Sequence, residues 1–229
     1  MEKLIIIGTS STAKLAYSFI CDYNLYEVVG FSVNAKYITD TQFCGLPVFP
    51  LEKLEHYMDK NTDYVFVAML WNHLNADRRS VFEYLQQNGY KFATLISPYA
   101  RIRGKSIGEN SWIHDFCIVQ DDAVIGDDCA IMEYTLIGSR VRLGNHCFCG
   151  AKSTVAGNCI VGEQTFIGIN ATIFDDRVVG KKCIIGACTG VNRNVPDFSV
   201  WKTSSSNHIV CQYTEDEIVE KLVFNKNVK

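Results

Sequence analysis

Apolar positions follow two different rhythms along this chain. In residues 3–97 short apolar runs alternate with stretches of helical period. "KLIIIG" (3–8) is continuously apolar, as a strand buried on both faces should be. "TSSTAK" then turns into a helix that runs to about Tyr23, and "YEVVGFSV" (26–33) reads as the next strand. "LPVFPLEKLEHYM" offers a short extended piece and a helix, and "DYVFVAM" (63–69) a third strand. In "NADRRSVFEYLQQNG" (75–89) Val81, Phe82 and Leu85 share one helical face, and Asn88-Gly89 stops it. "KFATLIS" (91–97) closes the series before Pro98. Strands alternating with helices predict a small Rossmann-like parallel sheet over residues 1–98.

From Ile107 onward the rhythm changes to six. Ile107, Ile113, Val119, Ile125, Ile131, Ile137, Leu143, Cys149, Val155, Val161, Ile167, Ile173, Val179, Ile185 and Val191 form an unbroken apolar series. Four residues after each lies a small or branched side chain, with Arg177 the one departure. A period of six returns to one helical face only after three repeats, so a helix does not produce it. Short strands joined at regular corners do: three sides make one triangular coil, and the series predicts a left-handed parallel β-helix of about five coils over residues 99–200. Gly often follows the aliphatic residue, as at Gly126, Gly138 and Gly168, where a corner would profit from its freedom. After Pro196 the repeat ends. In the tail, 201–229, "YTEDEIVEKLV" (213–223) carries a capping box from Thr214 to Glu217 and an apolar stripe, predicting a helix that covers an open coil edge.

Composition narrows the chemistry. A net charge of −3 without a basic run gives no footprint for nucleic acid. "MEKLIIIG" is too short for a signal peptide or a membrane span. The ten cysteines include no C-x-x-C pair. Cys117, Cys129, Cys147, Cys159 and Cys183 share one phase of the repeat, which suits small buried thiols in a reducing cytoplasm and not disulfides or metal ligands. His114, His146 and His208 form no zinc pattern, so no metal is expected.

The loop "GTSSTAK" (8–14) has only the first glycine of a dinucleotide fingerprint, with Ser10 and Ala13 in place of the others. Asn34 stands where an acidic ribose ligand would end the second strand, so NAD is not expected. Gly8, Ser10 and Ser11 could still offer N–H and hydroxyl donors to a nucleotide diphosphate-sugar at the helix N-terminus, or form a plain structural turn.

Both halves together resemble the left-handed β-helix (hexapeptide-repeat) sugar acetyltransferases, of the bacillosamine N-acetyltransferase and sialic acid O-acetyltransferase type. "VAGNCIVGEQTFIGINATIF" (155–174) is the most specific stretch, and "GYKFATLISPYARI" (89–102) matches the joint between domains. The resemblance implies a cytoplasmic homotrimer with acetyl-CoA in the cleft between neighbouring β-helices. It also implies a nucleotide-linked amino sugar as acceptor, in surface polysaccharide (lipopolysaccharide) synthesis. It makes Gly157, Ile169 and Ala187 cofactor contacts. The family's histidine base and its following acidic residue fall on Ser139 and Arg140, so this chain departs from the pattern at the catalytic position. Serine is no base at neutral pH without its own activator. Three readings follow. His146, placed beside the inward Cys147 and so facing outward, supplies the base, or Glu133 does so with a raised pKa. Alternatively, orientation alone suffices for an amine acceptor. Or the protein is a non-catalytic trimeric binder. Arg140 could meet phosphate or carboxylate or sit solvated at the rim. N-acetylation is the leading expectation and O-acetylation the alternative.

Overall fold

The computed structural model describes residues 1–70 and 73–202. The helix expected at 213–223 lies outside the described residues. The N-terminal half holds β1 (Lys3–Ile7), α1 (Ser11–Asp22), β2 (Glu27–Val33), β3 (Gln42–Phe43), β4 (Leu46–Pro50), β5 (Tyr64–Val67), α2 (Ala76–Gln87) and β6 (Lys91–Phe92). The sheet order is β3-β4-β2-β1-β5-β6, with every pairing parallel except the β3–β4 hairpin. Leu4, Ile5 and Ile6 of β1 are fully buried, as a central strand covered on both faces requires. The segment expected as a helix near Leu51 is a 3-10 helix, Leu51–His56, broken at Lys53.

The second half is the three-sided parallel β-helix. Two-residue strands stack into three faces. Face 1 runs from Leu95–Ile96 through Trp112–Ile113, Ala130–Ile131, Phe148–Cys149, Phe166–Ile167 and Ile184–Ile185 to Val200–Trp201. Face 2 begins at Arg101–Ile102 and ends at Gly190–Val191, and face 3 runs from Ser106–Ile107 to Val178–Val179. The hexad residues from Ile113 to Val191 are all buried, together with the cysteines and small residues between them, in one core. The cysteine expectation holds among the described residues: those five thiols are free and buried. Burial pushes the Cys117 thiol up to about 11 and also raises those of Cys129 and Cys159, which makes these three inert fillers of the interior.

Two expectations change. The segment 91–97 is not one strand: Lys91–Phe92 pairs with β5, whereas Leu95–Ile96 is already the first rung of face 1. The boundary expected at residue 98 therefore falls at 93–94. The corner glycines also have a different reason. The left-handed φ occurs three residues after each aliphatic position, at Phe116, Tyr134, Arg140, His146, Lys152 and their equivalents. The glycines instead let coils stack: a Cβ on Gly168 would lie 2.6 Å from the backbone nitrogen of Ala187 one coil on, and one on Gly126 would lie 2.7 Å from that of Asn145.

The halves share a core. Trp112, Ala130 and Phe148 on face 1 pack with Leu4, Ile6, Phe19 and Phe66 of the first domain. Trp112 meets Phe66 and Phe19 edge-on, each at 5.7 Å between ring centroids. A buried polar clamp lies beside this seam. Arg78 of α2 donates from Nε to Asp128 Oδ1 at 2.5 Å and from Nη2 to the Asn110 carbonyl at 2.6 Å.

Candidate active site

The first concavity lies at the C-terminal end of the small sheet. A cavity of about 480 Å³ is lined by Gly8, Thr9, Ser10, Ser11 and Thr12, and closed by Asn34, Tyr37, Leu51 and Met69. β1 leads to β2 on one side and β5 lies on the other, so strand order reverses at this point, where open α/β sheets bind ligands. Ser10 is the N-cap of α1 but makes no side-chain cap bond. Gly8 does not act as expected. Its N–H already donates to the Ser32 carbonyl at 2.8 Å, and its φ of +128° is what requires glycine. The glycine shapes the loop, and the Ser10 and Ser11 side chains line the cavity.

The second candidate surface is a row of corner N–H groups on the β-helix. At each corner the residue three after the aliphatic donates to a carbonyl one coil back, as Tyr134 does to Asp115 and Arg140 to Asp121. The N–H of the residue just before it is left over. Two corners satisfy several of these with side chains. Asp127 Oδ1 accepts from Glu109 N at 2.9 Å and Asn145 Oδ1 from Asp127 N at 3.0 Å, between faces 3 and 1. Between faces 2 and 3, Asp175 Oδ1 accepts from Gly157 N at 2.9 Å, and Gln120 Oε1 accepts from Ser139 N at 3.1 Å. Between faces 1 and 2 the equivalent residues include Ala151, Ile169 and Ala187, which carry no acceptor. Their N–H groups find no partner among the described residues, and Ile169 and Ala187 are exposed. Gly150 and Gly168 beside them bring no side chain. The result is a ladder of open donors at a spacing of about 4.8 Å per coil.

The expected site residues therefore divide among three corners. Ile169 and Ala187 sit on the open ladder between faces 1 and 2, and so does Glu133. Gly157 lies on the next corner with Ser139 and Arg140, and its N–H is already used. Arg140 is exposed and donates from Nε to Asn158 Oδ1 at 2.6 Å. The Ser139 hydroxyl also bonds Gln120 Oε1, at 3.2 Å, an amide oxygen that cannot activate it.

His146 is on the third corner and does not face outward as expected. It is 4% exposed, its Nδ1 lies 2.9 Å from Asp128 Oδ2, and its carbonyl accepts from Asn75. Its left-handed backbone turns the ring under α2, into the clamp with Arg78 and Asn110. It is a structural residue of the seam between domains.

Glu133 has a histidine partner that the sequence reading passed over. His114 Nδ1 lies 3.1 Å from Glu133 Oε1 across one coil. The His114 hydrogen bond holds the Glu133 carboxyl below the usual range, against the opposing effect of burial. The raised value expected for a free-standing glutamate base is thus absent. The signal was present: the pair is 19 residues apart, one coil plus one position. Phe116 and Tyr134 stack beside it on the same corner, with ring centroids at 5.0 Å.

The bacterial transferase hexapeptide (six repeats) family matches residues 104–139. This chain carries hexapeptide repeats. Solved structures share the hexapeptide fold over both domains. A histidine-to-asparagine variant of perosamine N-acetyltransferase from Caulobacter crescentus, in complex with CoA and GDP-perosamine, is 24% identical with a TM-score of 0.76, covering 87% of this chain and 93% of its own. The acetyltransferase domain of PglB from Neisseria gonorrhoeae, in complex with acetyl coenzyme A, is 23% identical with a TM-score of 0.76, covering 87% and 95%. WeeI from Acinetobacter baumannii is 18% identical with a TM-score of 0.75, covering 90% and 99%. No curated protein matches by sequence. Among the described residues no helix is long and apolar enough to cross a membrane, and no cluster of ligating side chains could hold a metal.

Proposed function

We propose that the chain is an acetyl-CoA-dependent N-acetyltransferase of nucleotide-linked amino sugars, acting in the cytoplasm in surface-glycan synthesis. The open donor ladder at Ala151, Ile169 and Ala187 carries this reading. Pantetheine presents amide carbonyls along an extended arm, and unpaired backbone N–H groups on a side-chain-free edge are complementary to it. The cavity at the N-terminus of α1 suits a nucleotide diphosphate, held by Ser10 and Ser11 and the positive end of the helix. The acetyltransferases of the same fold, crystallised with CoA and with GDP-perosamine, support the assignment of both ligands.

The distribution of residues over corners favours a closed oligomer. Ser139 and Gly157 on one corner and Ile169 and Ala187 on another cannot line one groove of one chain. They can line the groove between two copies, and a homotrimer closes such contacts with one repeated interface. An amine acceptor fits better than a hydroxyl, because Ser139 stands where a strong base would be needed and an alcohol needs more activation than a neutral amine.

The test is thiol release from acetyl-CoA with UDP-, dTDP- and GDP-linked amino sugars, with the acetylated product identified by mass spectrometry. Release that depends on an amino sugar supports the reading. Tight CoA binding without release for any acceptor overturns it in favour of a binding protein.

A further inference from the structure

We infer that Glu133, coupled to His114, accepts the proton given up by the attacking amine, so that the proton acceptor lies on the corner between faces 1 and 2 and not at Ser139. The inference rests on the acetyltransferase reading above.

Three observations carry it. Glu133 stands 18 positions before Ala151, one coil along the same corner from the open donors at Ala151, Ile169 and Ala187, where it can meet a cofactor lying on them. Its side chain is 42% exposed and open to a ligand, whereas that of His114 is only 10% exposed. The Nε2 of His114 is buried without a hydrogen-bond partner among the described residues, and the imidazole packs against the Trp112 and Phe19 rings with centroids at 4.3 and 5.5 Å. With Nε2 sealed, the ring meets its surroundings through Nδ1, and Nδ1 meets Glu133. Charged and titratable neighbours are Asp115, which accepts from the Tyr23 hydroxyl at 2.8 Å, and exposed Lys152, whose N–H bonds the Glu133 carbonyl.

The step balances without another reagent. The neutral amine attacks the thioester carbon, the C–N bond forms, and the carbonyl π pair moves to oxygen. The nitrogen, now cationic and far more acidic than the free ammonium, loses a proton to the Glu133 carboxylate, which His114 holds in place through Nδ1. The oxyanion pair then returns, the C–S bond breaks, and the leaving thiolate takes the proton back. Glu133 is the catalytic residue and His114 the positioning one.

The experiment compares the full-length parent with Glu133→Gln and His114→Gln, measuring thiol release against pH, CoA affinity by calorimetry, and folding by circular dichroism. Glu133→Gln should lower kcat about 100-fold or more while the KM for acetyl-CoA stays within about threefold. The acidic limb of the kcat/KM profile should disappear in Glu133→Gln and shift in His114→Gln. Should His114→Gln fail to fold, the exposed Glu133→Gln decides alone. A parent that releases thiol and a Glu133→Gln variant that matches it, or that loses only cofactor affinity, overturn the inference and leave the function standing. A parent that acetylates no amino sugar overturns both.

Discussion

The open ladder can be closed by one side chain borrowed from the other corners. Where a corner carries Asp or Asn, its Oδ1 reaches back 18 positions and accepts the leftover N–H, as Asp127 does for Glu109 and Asp175 for Gly157. That oxygen fills the space a Cβ would take on the neighbouring glycine: Asn145 Oδ1 lies 2.3 Å from the ideal Cβ position of Gly126. Ala187 stands 18 positions after Ile169, next to the bare Gly168. Ala187→Asn should therefore cap the Ile169 N–H in the same geometry. A newly satisfied neutral hydrogen bond contributes about 1 kcal/mol, which raises the melting temperature by about 2–4 °C in a chain of this size.

The same cap removes a donor from the cofactor. Losing one neutral hydrogen bond of about 0.5–1.5 kcal/mol weakens CoA binding about 2- to 12-fold. The two effects have opposite signs, which separates them from simple damage to the fold. Differential scanning calorimetry and isothermal titration with CoA measure both. A variant that is more stable and binds CoA as tightly as the parent refutes the ladder as the cofactor track. A variant that is less stable refutes the account of the corners themselves.

Other outcomes follow from the same geometry. Arg78→Met leaves Asp128 buried without its cation and should cost about 3–5 kcal/mol, seen as a fall in melting temperature of about 6–20 °C; a shift of under about 2 °C would show that the clamp does not hold the seam. Arg78→Met combined with Asp128→Asn should be less damaging than the sum of the singles, because no uncompensated charge then remains. Ser139→Ala should leave kcat within about twofold of the parent, since an amide oxygen cannot activate the hydroxyl; a larger loss in steady-state assays would return Ser139 to the reaction. Gly8→Ala forces a side chain to a φ of +128° with its Cβ 3.1 Å from the Ala68 carbonyl. It should cost about 1–3 kcal/mol and weaken binding of the nucleotide diphosphate, both read from a thermal-shift titration.

The hexad rule made the β-helix legible because inward side chains must repeat once per side, and nothing else in the chain competes with that constraint. It also carried the buried cysteines, whose phase is set by the same taper. The boundary between domains was less visible, since Ala93 and Leu95 are apolar on both sides of the joint and the backbone passes from one sheet to the other without a turn signal. His146 shows the limit of strand alternation. Outward from a coil means toward solvent only where nothing covers that coil, and α2 comes from far away in sequence to bury it.

The distribution of chemistry over corners could be seen only by folding the sequence on a period of 18. On that grid Glu133, Ala151, Ile169 and Ala187 form one column with His114 in the column beside it, and Ser139 and Gly157 form another. Ala151, Ile169 and Ala187 carry no side-chain acceptor and their backbone donors stay free, so side chains missing from a corner are as informative as those present. A β-helix has no loops of its own on which to place function. Its remaining freedom lies in which corners stay uncapped, and in this chain the corner that carries Ala151, Ile169 and Ala187 also bears the His114–Glu133 pair, whose carboxylate side is open to a ligand.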